Sequence, residues 1–118
     1  KLARRGPYSW EIEEGSAKII INYNQDGFIV CDSILCTLPK TNIGPMYEFL
    51  LRENYNMESM MFSVNNQDVI LSTFIFDQYL TYETGLENIK SLFAAADKYD
   101  NILVEQYGAQ KRITDDNN

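Results

Sequence analysis

The run Phe28-Ile29-Val30-Cys31-Asp32-Ser33-Ile34-Leu35-Cys36-Thr37-Leu38 constrains the fold more than any other stretch. Side chains alternate between the two faces of a strand, so a strand wetted on one side alternates apolar with polar. This run is apolar at both parities. It breaks chiefly near its middle, at Asp32-Ser33, where a bulge or kink is expected. Such a strand belongs at the centre of a sheet, with both of its faces covered.

The flanking residues supply its neighbours. Asn24-Gln25-Asp26-Gly27 holds an Asp-Gly hairpin signal, and Ala17–Tyr23 before it is rich in β-branched residues. Glu14-Gly15-Ser16 reads as a turn. Tyr8–Glu13 alternates large apolar with polar and puts Tyr8, Trp10 and Ile12 on one face. Together these segments predict a three-stranded antiparallel meander. Residues 1–7, KLARRGP, read as a basic tail or the end of a preceding helix, stopped by Gly6-Pro7.

After Pro39 the period changes. Thr41 or Asn42 is placed to cap a short helix with Pro45 in its first turn and Met46, Phe49, Leu50 and Leu51 as its apolar stripe. Met60–Val64 and Val69–Phe76 then flank a four-residue polar tip, Asn65–Asp68, as a second hairpin. Thr81 caps a long last helix, with Glu83 suited to its N-terminal dipole. Leu86, Ile89, Phe93, Ala96 and Leu103 run along one side of that helix, widened by Leu92 and Tyr99. The expected fold is therefore α+β: a twisted antiparallel sheet of about five strands, in the order β-β-β-α-β-β-α, packed against two helices. One domain spans 8–107, and 108–118 is a polar tail.

Charge and residue chemistry exclude several functions. The 118 residues carry 10 Lys and Arg against 17 Asp and Glu, a net charge of −7. Setting aside Lys1, Arg4 and Arg5 leaves 7 basic residues against 17 acidic, a body that repels nucleic acid. No apolar run reaches the roughly 18–20 residues of a membrane span, and the polar, basic start holds no signal-peptide core. There is no histidine, so a nucleophilic triad lacks its usual base and a structural zinc site lacks ligands; no metal or cofactor is expected. Cys31 and Cys36 are five apart in one strand, too far for a bridge and on opposite faces if the strand is regular. As buried free thiols they fit a reducing, cytoplasmic setting. Of the carboxylates, Glu11, Glu13 and Glu14 read as an exposed strand face, and Asp97 with Asp100 as a solvated helix rim. Asp32, in an apolar strand, is the one catalytic candidate, with a structural role the commoner reason for such a residue.

Surplus apolar surface is the stronger functional signal. Two helices cover one face of a sheet, yet Ile20 stands beside Ile19 and Ile21, Ile29 and Leu35 oppose Val30 and Ile34, and Ile70 and Phe74 oppose Leu71 and Ile75. The expected working surface is Ile20, Ile29, Leu35, Ile70 and Phe74 with Met57, Met60 and Met61, whose flexible side chains suit adaptable contacts. Its expected occupant is a protein partner or the mate in a homodimer. The alternatives are a structural or regulatory module of a longer protein, tethered through the basic N-terminus, and a small carboxylate-dependent enzyme.

Leu50-Leu51-Arg52-Glu53-Asn54, then Phe62, Val69-Ile70-Leu71-Ser72 and Ala96-Asp97-Lys98-Tyr99 give the chain a further reading. A Leu-Leu-x-x-Asn-like helix phrase, an aromatic early in the next strand and an Ala-Asp-x-Tyr phrase late in the last helix resemble the YbjN family and the type III secretion chaperone-like fold (the Tir/CesT group). The resemblance covers about residues 8–107. It implies a bacterial, cytosolic, often dimeric α+β domain that acts without catalysis, holding an extended polypeptide on apolar patches and sheet edges. The helix that precedes the first strand in that group is missing here, unless KLARR is its last turn.

Overall fold

The structure, a computed structural model, describes residues 2–14 and 17–112. The fold is α+β, as expected: one antiparallel sheet with two helices. Its strands are β1 (Leu2–Gly6), β2 (Ser9–Glu14), β3 (Ala17–Asn24), β4 (Phe28–Thr37), β5 (Met60–Asn65), β6 (Asp68–Phe76) and the short β7 (Gln110–Lys111). The helices are α1 (Gly44–Asn56) and α2 (Tyr82–Tyr107), with a 3-10 turn at Asp77–Tyr79. The sheet order is β1-β2-β3-β4-β6-β5, with β7 paired to the end of β4.

β4 takes the central position its two-sided apolar sequence requires, hydrogen-bonded to β3 on one side and β6 on the other. The Asp-Gly hairpin joins β3 to β4, and Gly27 carries the turn at φ +107°, a conformation that favours glycine. Two strands lie outside the expected five. Residues 2–6 pair with β2 as an edge strand and are neither tail nor helix, and β7 sits in what the sequence presents as a tail. The polar tip of the second hairpin is shorter than expected. Asn65 pairs with Asp68, leaving Asn66-Gln67 as a two-residue turn with Asn66 at φ 56°. The Gly15-Ser16 part of the first turn, Lys1 and the end of the C-terminal tail lie outside the described residues.

The irregularity of β4 falls between Ile34 and Cys36 and not at Asp32-Ser33. Ile34 pairs with Ile70 and Cys36 with Val69, so Leu35 is the inserted residue. That insertion reverses the strand's parity. Cys31 and Cys36, an odd number apart, therefore both point into the core, where both are free.

Both helices cover the same side. α2 packs across β3, β4 and β6, while α1 packs against β5 and α2. The core between them holds Ile19, Cys31, Leu71, Val69 and Phe62 from the sheet, Met46 and Leu50 from α1, and Leu92, Ala96, Tyr99 and Leu103 from α2. The buried seam of α2 is rotated from the expected stripe, leaving Leu86 exposed, and Leu51 of α1 is 69% exposed. Thr81 caps α2 as expected, in a box closed by Thr84 (Thr84 N to Thr81 Oγ1 3.0 Å, Thr81 N to Thr84 Oγ1 2.8 Å). Neither Thr41 nor Asn42 caps α1; its N-cap is Ile43, which offers no side-chain acceptor.

The molecule measures 41 × 39 × 22 Å. A thickness of 22 Å holds one sheet and one layer of helix, each about 10 Å. Among the described residues, two layers leave the far side of the sheet uncovered.

Candidate functional site: the uncovered face of the sheet

Register assigns each side chain to a face, because directly paired residues of an antiparallel sheet lie on the same side. Ile12, Ile19, Ser33 and Leu71 form one row across the helix-covered face. The row beside it, on the opposite face, is Glu11, Ile20, Asp32, Ser72 and Met61. Neighbouring rows of that face carry Val30 with Phe74, Phe28 with Phe76, and Ile34 with Ile70.

The apolar end of this face is aromatic. Phe28, Phe74 and Phe76 contact one another edge to face with centroids 5.7–6.3 Å apart. Phe74 is 45% exposed, Phe76 49% and Met61 49%. At the opposite side of the face, on β1–β3, the surface is ionic: Glu11 lies 3.6 Å from Arg5 and 3.5 Å from Lys18. Between them Asp32 Oδ1 accepts a hydrogen bond from Ser72 Oγ at 2.5 Å.

The eight residues expected to form the working surface separate into three groups. Met57, Met60, Met61 and Phe74 line one groove of about 750 Å³ that wraps the start of β5 and the end of β6, together with Phe76 and Tyr79. Met61 and Phe74 are on the uncovered face, whereas Met57 and Met60, which pairs with Thr73, pack on the core and not on the expected working surface. Ile20 and Ile70 line a second groove of about 450 Å³ on the uncovered face, which Asp32 also lines. Ile29 and Leu35 do not belong to this face: Ile29 packs on the core under α2, and Leu35 is 4% exposed. Their places are taken by Val30 and Ile34, which the sequence reading assigned to the other side. The signal was present, since Val30 and Ile34 share parity with Asp32, and a carboxylate marks the wetted side of a strand.

Both sheet edges are guarded. On β5, Phe62 N–H donates to Asn54 Oδ1 (2.7 Å) and Asn54 Nδ2 donates to the Phe62 carbonyl (3.3 Å). These two bonds mimic a neighbouring strand at the middle of β5 and occupy the backbone groups that Phe62 would offer an added strand. β1 is short, carries Arg4 and Arg5, and has an irregular register between Arg4 and Gly6, features that blunt an edge. Arg4 also folds back onto the turn that follows, donating to the carbonyls of Gly6 (2.9 Å) and Pro7 (3.1 Å).

Titratable groups are scattered. Among the described residues no three His, Cys, Asp or Glu side chains gather in a metal-binding arrangement, and no helix is long and apolar enough to cross a membrane. Burial pushes the Cys31 thiol up to about 11, with Asp32 adding to the effect, and the Cys36 thiol to about 12. Asp100 is held above the usual carboxylate range by burial and, secondarily, by Asp97, against the opposing pull of Lys111 and Arg112. Its Oδ1 is buried and accepts no hydrogen bond. Of the pair expected on a solvated helix rim, Asp97 is exposed there, whereas Asp100 is turned partly inward. Neither the known family models nor the sequences of characterised proteins provide a match to this chain.

Proposed function

We propose that this chain is a chaperone-like, polypeptide-binding domain that works by docking and not by catalysis, with the uncovered sheet face as its working surface. One observation carries the reading: both helices lie on one side, and the other side presents Phe28, Phe74, Phe76 and Met61 as a contiguous, partly exposed cluster. Exposed apolar patches of this kind mark interaction surfaces. Because both edges are blunted, the partner lies across the face and does not extend the sheet. Met61 beside the cluster suits a surface that adapts to its partner.

The resemblance to secretion chaperones fits this mode of action. Two of its phrases have physical roles: Asn54 closes the β5 edge, and Tyr99 packs on Phe62 with centroids 4.9 Å apart. The two free, buried thiols suit a reducing, cytoplasmic setting. A tether through the basic N-terminus fits less well, since Arg4 and Arg5 lie within a paired strand. The enzyme reading has only Asp32, whose described partner is Ser72.

Phe74 provides the test. If the occupant is a second copy, light scattering gives twice the 13.7 kDa chain mass. Phe74→Glu should then weaken association by about 100-fold or more, from lost aromatic burial and a desolvated charge, with unchanged circular dichroism. If the occupant is another polypeptide, a photo-cross-linking side chain at position 74 captures it, while one at Leu51 does not. A monomer at millimolar concentration with no adduct at position 74 would overturn the proposal.

A further inference from the structure

On the helix-covered side, away from the docking face, a cavity of about 110 Å³ lies between the sheet and the first turns of α2. Ile21, Ile29, Cys31 and Ile75 form its sheet wall; Ile89 and Leu80 close it from the helix and the segment that leads into it. No polar atom is exposed to this space. Thr73, the hydroxyl-bearing residue of the wall, spends its Oγ1 on the Ser59 carbonyl at 2.8 Å. Asn88 also lines the space but turns no polar atom into it, and a water molecule needs two to four polar partners. The Cys31 thiol stays protonated at physiological pH, so the wall is also uncharged.

Small residues facing one another create the room. Cys31 and Thr73 are a registered pair on adjacent strands, and Gly85 stands on the helical wall. Larger apolar side chains at these positions would fill the space. Gly85 is not demanded by its backbone, and glycine within a helix is disfavoured relative to alanine. A Cβ there would sit 3.2 Å from Leu80 Cδ1, so glycine lets Leu80 seat against the helix. Leu80 is 40% exposed, which makes it the wall residue placed to admit a guest.

The geometry points to a binding site for a small hydrocarbon group, of about benzene's size or less, partly enclosed beneath α2 with Leu80 at its exposed rim. The size follows from comparison: an apolar protein cavity of about 150 Å³ stays dry and takes benzene or xenon, and this one is somewhat smaller. Two sources share that chemistry, a free apolar molecule and the terminal carbons of an acyl chain.

Methyl NMR on the whole chain tests the site, with benzene and octanoate as the probes. Benzene should give saturable shifts at the Ile21, Ile29 and Ile89 methyls, and Tm should rise by about 5 °C at ten times its Kd. Cys31→Leu fills the space from the sheet and should abolish both responses in a folded protein. Ile89→Phe fills it from the helix and gives the same reading if the first variant folds poorly. Octanoate that moves the same methyls and competes with benzene identifies an acyl terminus; a response to benzene alone identifies free small molecules. No saturable shift in the wild type, or equal shifts in a folded filled variant, would overturn the site.

Discussion

Asn54→Ala should destabilise the domain more than any other polar truncation at its surface. The side chain makes two hydrogen bonds to one residue, accepting from Phe62 N–H at 2.7 Å and donating to its carbonyl at 3.3 Å. Its aim is fixed from behind. The neighbouring Glu53 accepts a 2.6 Å bond from the Tyr99 hydroxyl, tying α1 to α2, and Tyr99 packs edge to face on the Phe62 ring. Each bond contributes about 1 kcal/mol net, so losing both costs about 2 kcal/mol if water replaces the amide. Where α1 keeps water out, the unpaired N–H and C=O raise that to about 4 kcal/mol. Either figure is a large part of the roughly 5–15 kcal/mol that holds a typical domain together.

Urea unfolding measures the loss, and hydrogen exchange locates it. The Phe62 amide should lose protection by roughly 30- to 1,000-fold, the range that about 2–4 kcal/mol implies. Asn54→Asp separates the clamp from simple loss of volume. It keeps the acceptor for the Phe62 N–H but turns a carboxylate toward the Phe62 carbonyl, so it should cost nearly as much as alanine at pH 7 and recover in part when acid protonates it. Freed of its clamp, β5 becomes an open edge, and concentration-dependent association should follow. A change below about 0.5 kcal/mol with Phe62 protection intact would refute the clamp, since that is the scale of an ordinary surface substitution.

Asp100 and the thiols give two further tests. Burial holds the Asp100 carboxyl above its ordinary value of 3.8, so the folded state binds this proton more tightly than the unfolded chain. Its contribution to stability is full below that ordinary value and lost as pH rises through the raised one. Asp100→Asn should therefore be more stable than wild type at pH 7, with the gain vanishing towards pH 3 in urea titrations; a loss at neutral pH would mean that its attraction to Lys111 and Arg112 outweighs burial. With the Cys31 and Cys36 thiols pushed up to about 11 and 12, alkylation at pH 8 should run roughly 100-fold or more slower than for a free thiol and reach its ordinary rate only in denaturant; fast native-state labelling of either would contradict their burial.

Local signals fixed much of the fold. Asp26-Gly27 marks a turn because only a few residues tolerate its backbone, and Thr81 marks a helix start because its hydroxyl can satisfy an orphan amide; both hold in the structure. What escaped depends on partners distant in sequence. Leu2–Gly6 has no strand pattern of its own and becomes one by pairing with β2, as tertiary context overrides weak propensity. Leu35 shows the same limit at the site. A one-residue insertion reverses every later parity of its strand, and apolar residues at both parities conceal where it falls. Ile20, Ile70 and Phe74 do lie on the uncovered face, and their strands carry polar residues of the same parity, Lys18 and Asn22 beside Ile20 and Ser72 between Ile70 and Phe74.

Asp32 then acquires a meaning that neither the core nor catalysis supplies. It lies on the uncovered face, between the aromatic cluster and the Ile34–Ile70 pair, with Ser72 donating to one of its oxygens. Left open, the face leaves this carboxylate in contact with water, and it costs little there. A partner laid across the phenylalanines would strip that water away, and a buried carboxylate is strongly unfavourable unless donors or a cation replace it. An apolar segment alone therefore gains at Phe74 and loses at Asp32. A segment that presents apolar side chains to the cluster and a basic or amide group to Asp32 gains at both. The chain's net charge of −7 biases the choice the same way, drawing basic partners and repelling acidic ones. If the face docks a polypeptide as proposed, the polar interruption that makes β4 look imperfect as a core strand is the feature that would give it selectivity and register.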